Sequence, residues 1–484
     1  MMGQWGGFSP LMPVVLASGW AILVLVAEMF SSSRRYRGVG WLSIVGLAHV
    51  AYVACCGGAR GAFGSAIALD GFTAYFVVLA AALTAVCVLA ALDYLDLTEI
   101  VGGEYYPLLF FAFVGIIVMA AATDLIVLFV GLETMSMAVY VLAGIWKRDA
   151  RSNEAALKYF VMGAFASGFM LYGIALLYGA TGSTVLAEIA SGFGAAAPNN
   201  LALLGMGMLT VGLAFKVSAV PFHLWTPDVY EGAPTSVTAF MSTAVKAAGF
   251  AAAVRVLSVA LAAAAGHLEL VLSALAVVTM TVGNFVALRQ TSLKRMLAYS
   301  SIAHTGYLLV GLAAGTTGAA AAILFYLAAY GAMNIAAFAV LMSVARRGEQ
   351  VEEVADLAGL GTSRPLIAAA MTIAMLSLTG IPPLGGFTAK LYLFTAALDA
   401  GKTGLVLVAL GNSVVSAAYY LGVVKTMYFD PAPAASQEAG ASRPHLAVAL
   451  AIAIAVTILL GVSPSAVLDA AANAMEGVLT GAAG

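Results

Sequence analysis

Three features of the sequence predict an all-α polytopic membrane protein: its composition, the length of its apolar runs and the placement of its basic residues. Of the 484 residues, 63% are hydrophobic and 9% are charged, with a mean hydropathy of +1.02. Soluble domains carry roughly 25% charged residues. The apolar runs reach the roughly 20 residues that a helix needs to cross hydrocarbon. Read with turn and charge punctuation, they predict fourteen helices, at 11–30, 39–57, 71–92, 106–121, 124–145, 155–180, 200–226, 234–262, 268–288, 297–315, 318–344, 365–399, 403–429 and 446–470. The narrowest division, between the fourth and fifth, falls at Thr123-Asp124. The run after Pro10 continues to Phe30, which predicts a first span rather than a cleaved signal peptide.

Basic residues set the orientation. Loops after odd-numbered helices hold Arg34, Arg35, Arg37; Lys147, Arg148, Arg151; Arg289, Lys294, Arg295; Arg346, Arg347, Arg364; and Arg443. Loops after even-numbered helices hold Arg60 and Lys402. Thirteen against two is a strong positive-inside bias. It places both termini outside the cytoplasm. A helix miscounted early in the chain would have mixed the two sets, so the asymmetry also supports fourteen spans.

Two of these helices are long and carry breakers. The seventh contains Phe215-Lys216-Val217-Ser218-Ala219-Val220-Pro221-Phe222-His223, and the twelfth contains Leu378-Thr379-Gly380-Ile381-Pro382-Pro383-Leu384-Gly385-Gly386-Phe387-Thr388-Ala389-Lys390. Proline removes a backbone donor and clashes with the preceding turn, so both helices should be discontinuous. Backbone groups freed at membrane depth are tolerated only against protein or water. Breaks at matching places of two halves are the pattern of an inverted-repeat transporter. Helices 4–8 and 9–13 would be the repeats, with the seventh matching the twelfth; an odd offset reverses orientation, as inversion requires. The expected organisation is an N-terminal three-helix segment at 1–105, repeats at 106–262 and 263–429, and a last helix with its tail at 430–484.

Outside the loops remain Lys158, Lys216, Lys246, Arg255, Lys390 and Lys425. A charge at the bilayer centre costs about 2.5–3.5 kcal/mol even on the lenient insertion scale, so these lysines should face the bundle interior or water. A buried lysine can exchange its proton, whereas arginine stays charged. Glu133 lies mid-helix at a depth similar to Lys216, which makes the two a candidate charge pair, either a proton switch or a structural ion pair. Lys246 falls near mid-membrane in the eighth helix, and Lys390 follows the break of the twelfth. His304, in Ser300-Ser301-Ile302-Ala303-His304-Thr305-Gly306-Tyr307, lies between them in sequence. An ordinary imidazole titrates at roughly 6.5, suited to a relay, although a hydrogen-bonded core histidine is the alternative. Lys158 could equally snorkel to the cytoplasmic interface. His223 and Tyr230 read as interface anchors or an inlet, Arg255 and Lys425 as structural, and Glu28 and Asp399 as solvated.

Some chemistries are excluded. No G-x-G-x-x-G opens a βα unit and no G-x-x-x-x-G-K-[ST] occurs, so neither dinucleotide binding nor ATP drive is visible. Cys55, Cys56 and Cys87 form no C-x-x-C, which argues against iron–sulfur and zinc sites. The five scattered histidines lack bis-histidine haem spacing. Energy for moving charge must come from an ion gradient or a partner.

The stretch Asn153-Glu154-Ala155-Ala156-Leu157-Lys158-Tyr159-Phe160-Val161-Met162-Gly163-Ala164-Phe165-Ala166-Ser167-Gly168 resembles the N-subunit family of bacterial NADH–quinone oxidoreductase, respiratory complex I. So do Lys216 to Ala233, Leu293 to Gly306 and Gly380 to Lys390. The resemblance spans the fourth to thirteenth helices and extends to an antiporter-like superfamily that includes the L and M subunits, membrane-bound hydrogenase subunits and multisubunit cation–proton antiporters. The L type usually adds a long C-terminal lateral helix, and the M type usually has glutamate where this chain has Lys390; both departures favour N. The resemblance implies a proton-translocating subunit with no redox site of its own. Glu133 and Lys216 would be its input pair, Lys246 the central relay, His304 a connecting group and Lys390 the terminal lysine. It further implies membrane-arm partners of the M, L, K, J, A and H types, with NADH, FMN, iron–sulfur clusters and quinone handled by other subunits. The alternative is a subunit of a cation–proton antiporter or membrane-bound hydrogenase.

The missing motifs lead to a first prediction: the purified subunit alone binds neither NADH nor flavin. Absorbance and titration calorimetry test it, and stoichiometric flavin or nucleotide would refute it.

Overall fold

The computed structural model describes residues 6–31, 36–56, 61–100, 104–193, 198–346, 351–431 and 443–481. Arg34, Arg35, Arg60 and Arg347 of the orientation count lie outside them. The chain is a bundle of helices with one small hairpin. It opens with α1 (Met12–Met29), α2 (Tyr36–Cys56), the antiparallel strands β1 (Gly61–Phe63) and β2 (Ile67–Leu69), and α3 (Gly71–Thr98). There follow α4 (Tyr105–Ala121), α5 (Leu125–Ala143), α6 (Ala150–Thr181), the short α7 (Leu186–Phe193), α8 (Asn200–Lys216) and α9 (Trp225–Gly232). Next, α10 (Thr235–Phe240) and α11 (Lys246–Arg255) form one continuous rod through a π-helical turn at Met241–Val245. The remainder comprises α12 (Ala265–Ala287), α13 (Leu293–Ala314), α14 (Thr317–Val344), the single turn α15 (Leu360–Ser363), α16 (Pro365–Thr379), α17 (Gly385–Asp399), α18 (Thr403–Phe429), α19 (Pro444–Val462) and α20 (Ser465–Gly481).

Eleven helices among the described residues are long and apolar enough to cross a membrane, and α4, α8 and α16 are shorter apolar helices. Local chemistry sets several of their starts. Asp124 accepts from the amides of Ile126 and Val127, capping α5 and dividing it from α4. Asp149, Asn199, Ser292 and Thr316 cap α6, α8, α13 and α14 in the same way. The α10–α11 rod, α13 and α14 are almost wholly buried and form the centre of the bundle, whereas α1, α6, α12, α18 and α19 expose one side.

Both expected breaks are present. Between α8 and α9 the chain turns through Val217–Leu224, with Ser218 at φ +66° and a cis Val220-Pro221 bond. Between α16 and α17 it turns through Gly380 (φ +94°) and a cis Pro382-Pro383 bond. Gly386 must be glycine, because a Cβ there would collide with the Ser377 carbonyl.

The structure corrects several expectations. The last predicted helix ends at Val462, since Pro464 cannot extend it, and a further helix, α20, follows. The hairpin and α7 were not predicted; three-residue strands are too short for a periodic signal. Asp149 starts α6 five residues before the predicted boundary. Lys294, counted as a loop charge, is fully buried. Tyr230 is interior rather than an interface anchor.

Two carboxylates at the ends of α3 tie the periphery to the core. Asp93 accepts from the amides of His445 (2.8 Å) and Leu446 (3.1 Å) and from His445 Nδ1 (2.9 Å), supplying from α3 the cap that α19 lacks. Asp70 caps α3 through the Thr73 amide and accepts a bidentate pair from Arg255, at 2.8 and 3.0 Å. Burial alone would push the Asp70 carboxyl up, but Arg255 and Thr73 outweigh it and hold the group below the usual carboxylate range. A lowered folded-state pKa stabilises the fold above the unfolded value, about 3.9, and that contribution fades as pH falls through the folded value. Asp70→Asn should therefore lower the thermal unfolding midpoint in detergent across pH 5–8. The loss should correspond to about 3–5 kcal/mol, because the arginine is left unpaired, and should shrink when Arg255→Gln is added. Equal midpoints for the single variant and the wild type would refute this.

Candidate functional site

Each break leaves backbone groups without helical partners, and hydroxyl and ammonium groups from neighbouring helices satisfy them. At the first break, the Val217 carbonyl accepts from Thr305 Oγ1 of α13 at 2.6 Å, and the Val220 amide donates to Thr279 Oγ1 of α12 at 3.0 Å. The left-handed Ser218 is held by its own hydroxyl, which accepts from Thr226 at 2.8 Å. At the second break, the Leu378 and Thr379 carbonyls accept from Lys390 Nζ at 3.1 and 2.8 Å, and the Gly386 amide donates to Ser377 Oγ. The Lys390 ammonium thus sits on the C-terminal carbonyls of α16, the negative end of that half-helix. Its third partner is Ser413 Oγ of α18 at 2.8 Å.

The structure brings four of the six predicted residues into one buried row. Lys216, Lys246, His304 and Lys390 are 4%, 3%, 1% and 5% exposed. Lys216, the last residue of α8, donates to Ser136 Oγ of α5 at 2.8 Å and lies 5.6 Å from the centre of the Tyr159 ring. Lys246 follows the π-helical turn, a feature frequent at functional sites. It donates to the Ser301 carbonyl (2.8 Å), the Ser301 hydroxyl and Thr305 Oγ1 (3.0 Å), so all three ammonium hydrogens are used. His304 pairs Nδ1 with the Tyr326 hydroxyl at 2.7 Å and Nε2 with the Tyr420 hydroxyl at 3.3 Å, and Tyr420 bonds Ser300 in turn. Aromatic faces bridge the rest: Lys246 lies 5.9 Å from the Tyr330 centroid and Lys390 5.0 Å from Tyr307, both rings packed on His304. Such contacts partly replace the water these cations give up.

Glu133 and Lys158 stand differently. Glu133 is half-buried and accepts from Ser167 Oγ of α6 at 2.5 Å. It is one turn from Ser136, the hydroxyl that holds Lys216, and among the described residues no direct ion pair joins the carboxylate to that lysine. Between Ser136, Ser167 and Lys216 is a cavity of about 10 Å³, close to the space of one water. Lys158 is 42% exposed and pairs with Glu154 (2.7 Å) and Asp228 (2.8 Å), away from the row. Its partner Asp228 also holds Arg295 at 2.8 Å, as does Glu231. Nearby, buried Lys294 donates at 2.7 Å to the carbonyls of Glu231 and Ala233, capping α9, with Glu352 at 3.4 Å.

Sequence reasoning missed the hydroxyl groups that link the row: Ser136, Ser301, Thr305, Ser413, Tyr326 and Tyr420. For Ser301 and Thr305 a signal existed, because their i, i+4 spacing puts both on the face of α13 toward Lys246. For Ser413 and Tyr420 there was none, since their partners are remote in sequence.

Residues 122–416 match the family model described as NADH:quinone oxidoreductase/Mrp antiporter, TM. The NADH-quinone oxidoreductase subunit N of Trichlorobacter lovleyi is 45% identical over 470 residues, 96% of each chain. Among solved structures, a chain of respiratory complex I from Thermus thermophilus is similar with a TM-score of 0.80 and 36% identity, covering 94% of this chain and 98% of that one. A chain of the Mrp complex from Dietzia shares the fold, with a TM-score of 0.82 at 23% identity over 98% and 97% of the two chains. An antiporter-like helical bundle, breaks beside buried lysines and near-full-length identity of 45% lead to one assignment: the chain belongs to the subunit N family of NADH-quinone oxidoreductase, a component of complex I.

Proposed function

We propose that this chain is a proton-translocating membrane-arm subunit, driven by electron transfer from NADH to quinone in partner subunits. The observation that carries this reading is the row Lys216, Lys246, His304 and Lys390, buried between two helix breaks and bonded through hydroxyls rather than carboxylates. A lysine held by neutral oxygens has no fixed counter-charge to trap its proton, so its charge responds to its neighbours. Glu133, one helical turn from the Ser136 that holds Lys216, is the candidate input that biases Lys216. Lys158 belongs to a half-exposed ion-pair cluster, which supports an anchoring role over a place in the path.

Eleven long helices, α4 and the two broken pairs α8–α9 and α16–α17 make fourteen crossings. We infer two inverted five-helix repeats, at 106–262 and 263–429. Both begin with helix pairs that cross closely at glycines: α4–α5 at Gly115 and Gly131, and α12–α13 at Gly283 and Gly306. With the basic loops facing the cytoplasm, both termini lie on the periplasmic side of the inner membrane, and the partners are the other membrane-arm subunits, of the M, L, K, J, A and H types. The shared family with Mrp antiporters supplies a second reading, a cation–proton antiporter subunit. Copurification with flavin and iron–sulfur subunits, or with small antiporter subunits, separates the two.

Glu133→Gln and Lys216→Ala should each assemble and insert but lower coupled turnover by roughly tenfold or more, the effect of removing one partner of a coupled charge pair. Acidification per electron pair in vesicles containing the whole enzyme measures this; wild-type rate and ratio in both variants would sink the role of the pair.

Lys390 gives a sharper test. Arginine keeps the charge and can still bond the α16 carbonyls but does not deprotonate. Lys390→Arg should assemble normally and pump poorly, whereas Lys390→Glu should keep partial activity because a carboxyl can exchange. A purely structural cation predicts the reverse order. Native gels check assembly, and wild-type pumping by the arginine variant would make Lys390 a fixed charge.

A further inference from the structure

We propose that Thr305 is a positioning residue that couples the charge of Lys246 to the helix break after Lys216. The inference rests on the proton-translocating reading above and adds a residue that the reading does not use. One hydroxyl joins three elements. Thr305 Oγ1 on α13 accepts from Lys246 Nζ of α11 at 3.0 Å and donates to the Val217 carbonyl, beside Lys216, at 2.6 Å. All of these residues are buried.

Counting hydrogens gives the coupling. An ammonium has three hydrogens and accepts nothing. In the structure those hydrogens meet the Ser301 carbonyl, the Ser301 hydroxyl and Thr305 Oγ1, which leaves the single Thr305 hydrogen free to bond Val217. When Lys246 passes a proton along the row, one N–H bond breaks at Nζ and a bond forms on the next acceptor. The neutral amine keeps two hydrogens and gains a lone pair. Thr305 can then donate to Nζ only by turning its one hydrogen away from Val217. The break carbonyl loses its donor, an expensive state in a dry interior, which favours a shift of the segment that follows Lys216. Ser301 can also donate to the amine, but its other side-chain partners are Tyr230 and Tyr330 rather than a break carbonyl, so Thr305 carries the change to the break. Return of a proton to Lys246 restores the original pattern.

The test uses the assembled enzyme in vesicles with Thr305→Val, Thr305→Ser and Lys246→Ala. Valine keeps the volume and branching of threonine without the hydroxyl; serine keeps the hydroxyl and loses a methyl. The coupling role predicts that serine pumps within about twofold of wild type and that valine loses about fivefold or more in the rate of proton translocation, the scale of one hydrogen bond. A packing role predicts the opposite order, because serine leaves a void and valine does not. If valine does not assemble on native gels, serine and alanine, which differ by the hydroxyl alone, carry the same comparison. Wild-type pumping by the valine or alanine variant, with Lys246→Ala impaired, overturns this inference and leaves the path intact. Wild-type pumping by Lys246→Ala overturns the use of Lys246 in the path itself.

Discussion

A helix that stops inside a membrane must find partners for the amides and carbonyls it frees, and this constraint organises the molecule. Water cannot supply them in hydrocarbon, where each unsatisfied group costs several kcal/mol. Here the partners are side chains of the packed helices. Thr305 and Thr279 serve the first break, and Lys390, Ser413 and Ser377 serve the second. The groups that make a broken helix tolerable are therefore the groups that surround the buried lysines. Satisfying the backbone and building the candidate path are one arrangement.

The same constraint explains which helices sit at the centre. The α10–α11 rod, α13 and α14 carry Lys246, His304, Tyr326 and Tyr330, and are almost fully enclosed. A lysine on an outward-facing helix such as α6 would meet lipid; Lys158, which is on α6, reaches the ion pairs at the helix end instead. Carboxylates sit with their partners near helix ends: Asp70 with Arg255, Asp93 with His445, and the Asp228, Glu231 and Arg295 group. Strong carboxylate pairs staple the ends of the bundle, and hydroxyls line its middle. That division suits a conduit whose inner charges are proposed to change while its frame does not.

Much of this was legible in the chain. Apolar length and breaker residues located the long apolar helices, the two discontinuities and all four residues of the buried row, because insertion cost acts on composition and on sequence-local turns. Less legible were elements without a periodic signature, the three-residue strands, α7 and α20, and the true environment of Lys294. A charge beside a loop reads as solvated, and nothing local says that the carbonyls of Glu231 and Ala233 will fold onto it.

The sequence by itself determined that the chain lives in a membrane, where it breaks, and that Lys216, Lys246 and Lys390 must be hidden, since these follow from the free energy of each segment in lipid. Only the tertiary structure decided what those residues touch. Glu133 and Lys216 are close in depth, yet each bonds its own serine, Ser167 of α6 and Ser136 of α5, because depth is a one-dimensional quantity and contact depends on helix rotation. The row likewise exists only because α8, α11, α13 and α17 converge, and their pairing is set by packing at glycines and by orphan backbone groups seeking donors, interactions between helices that no single segment encodes.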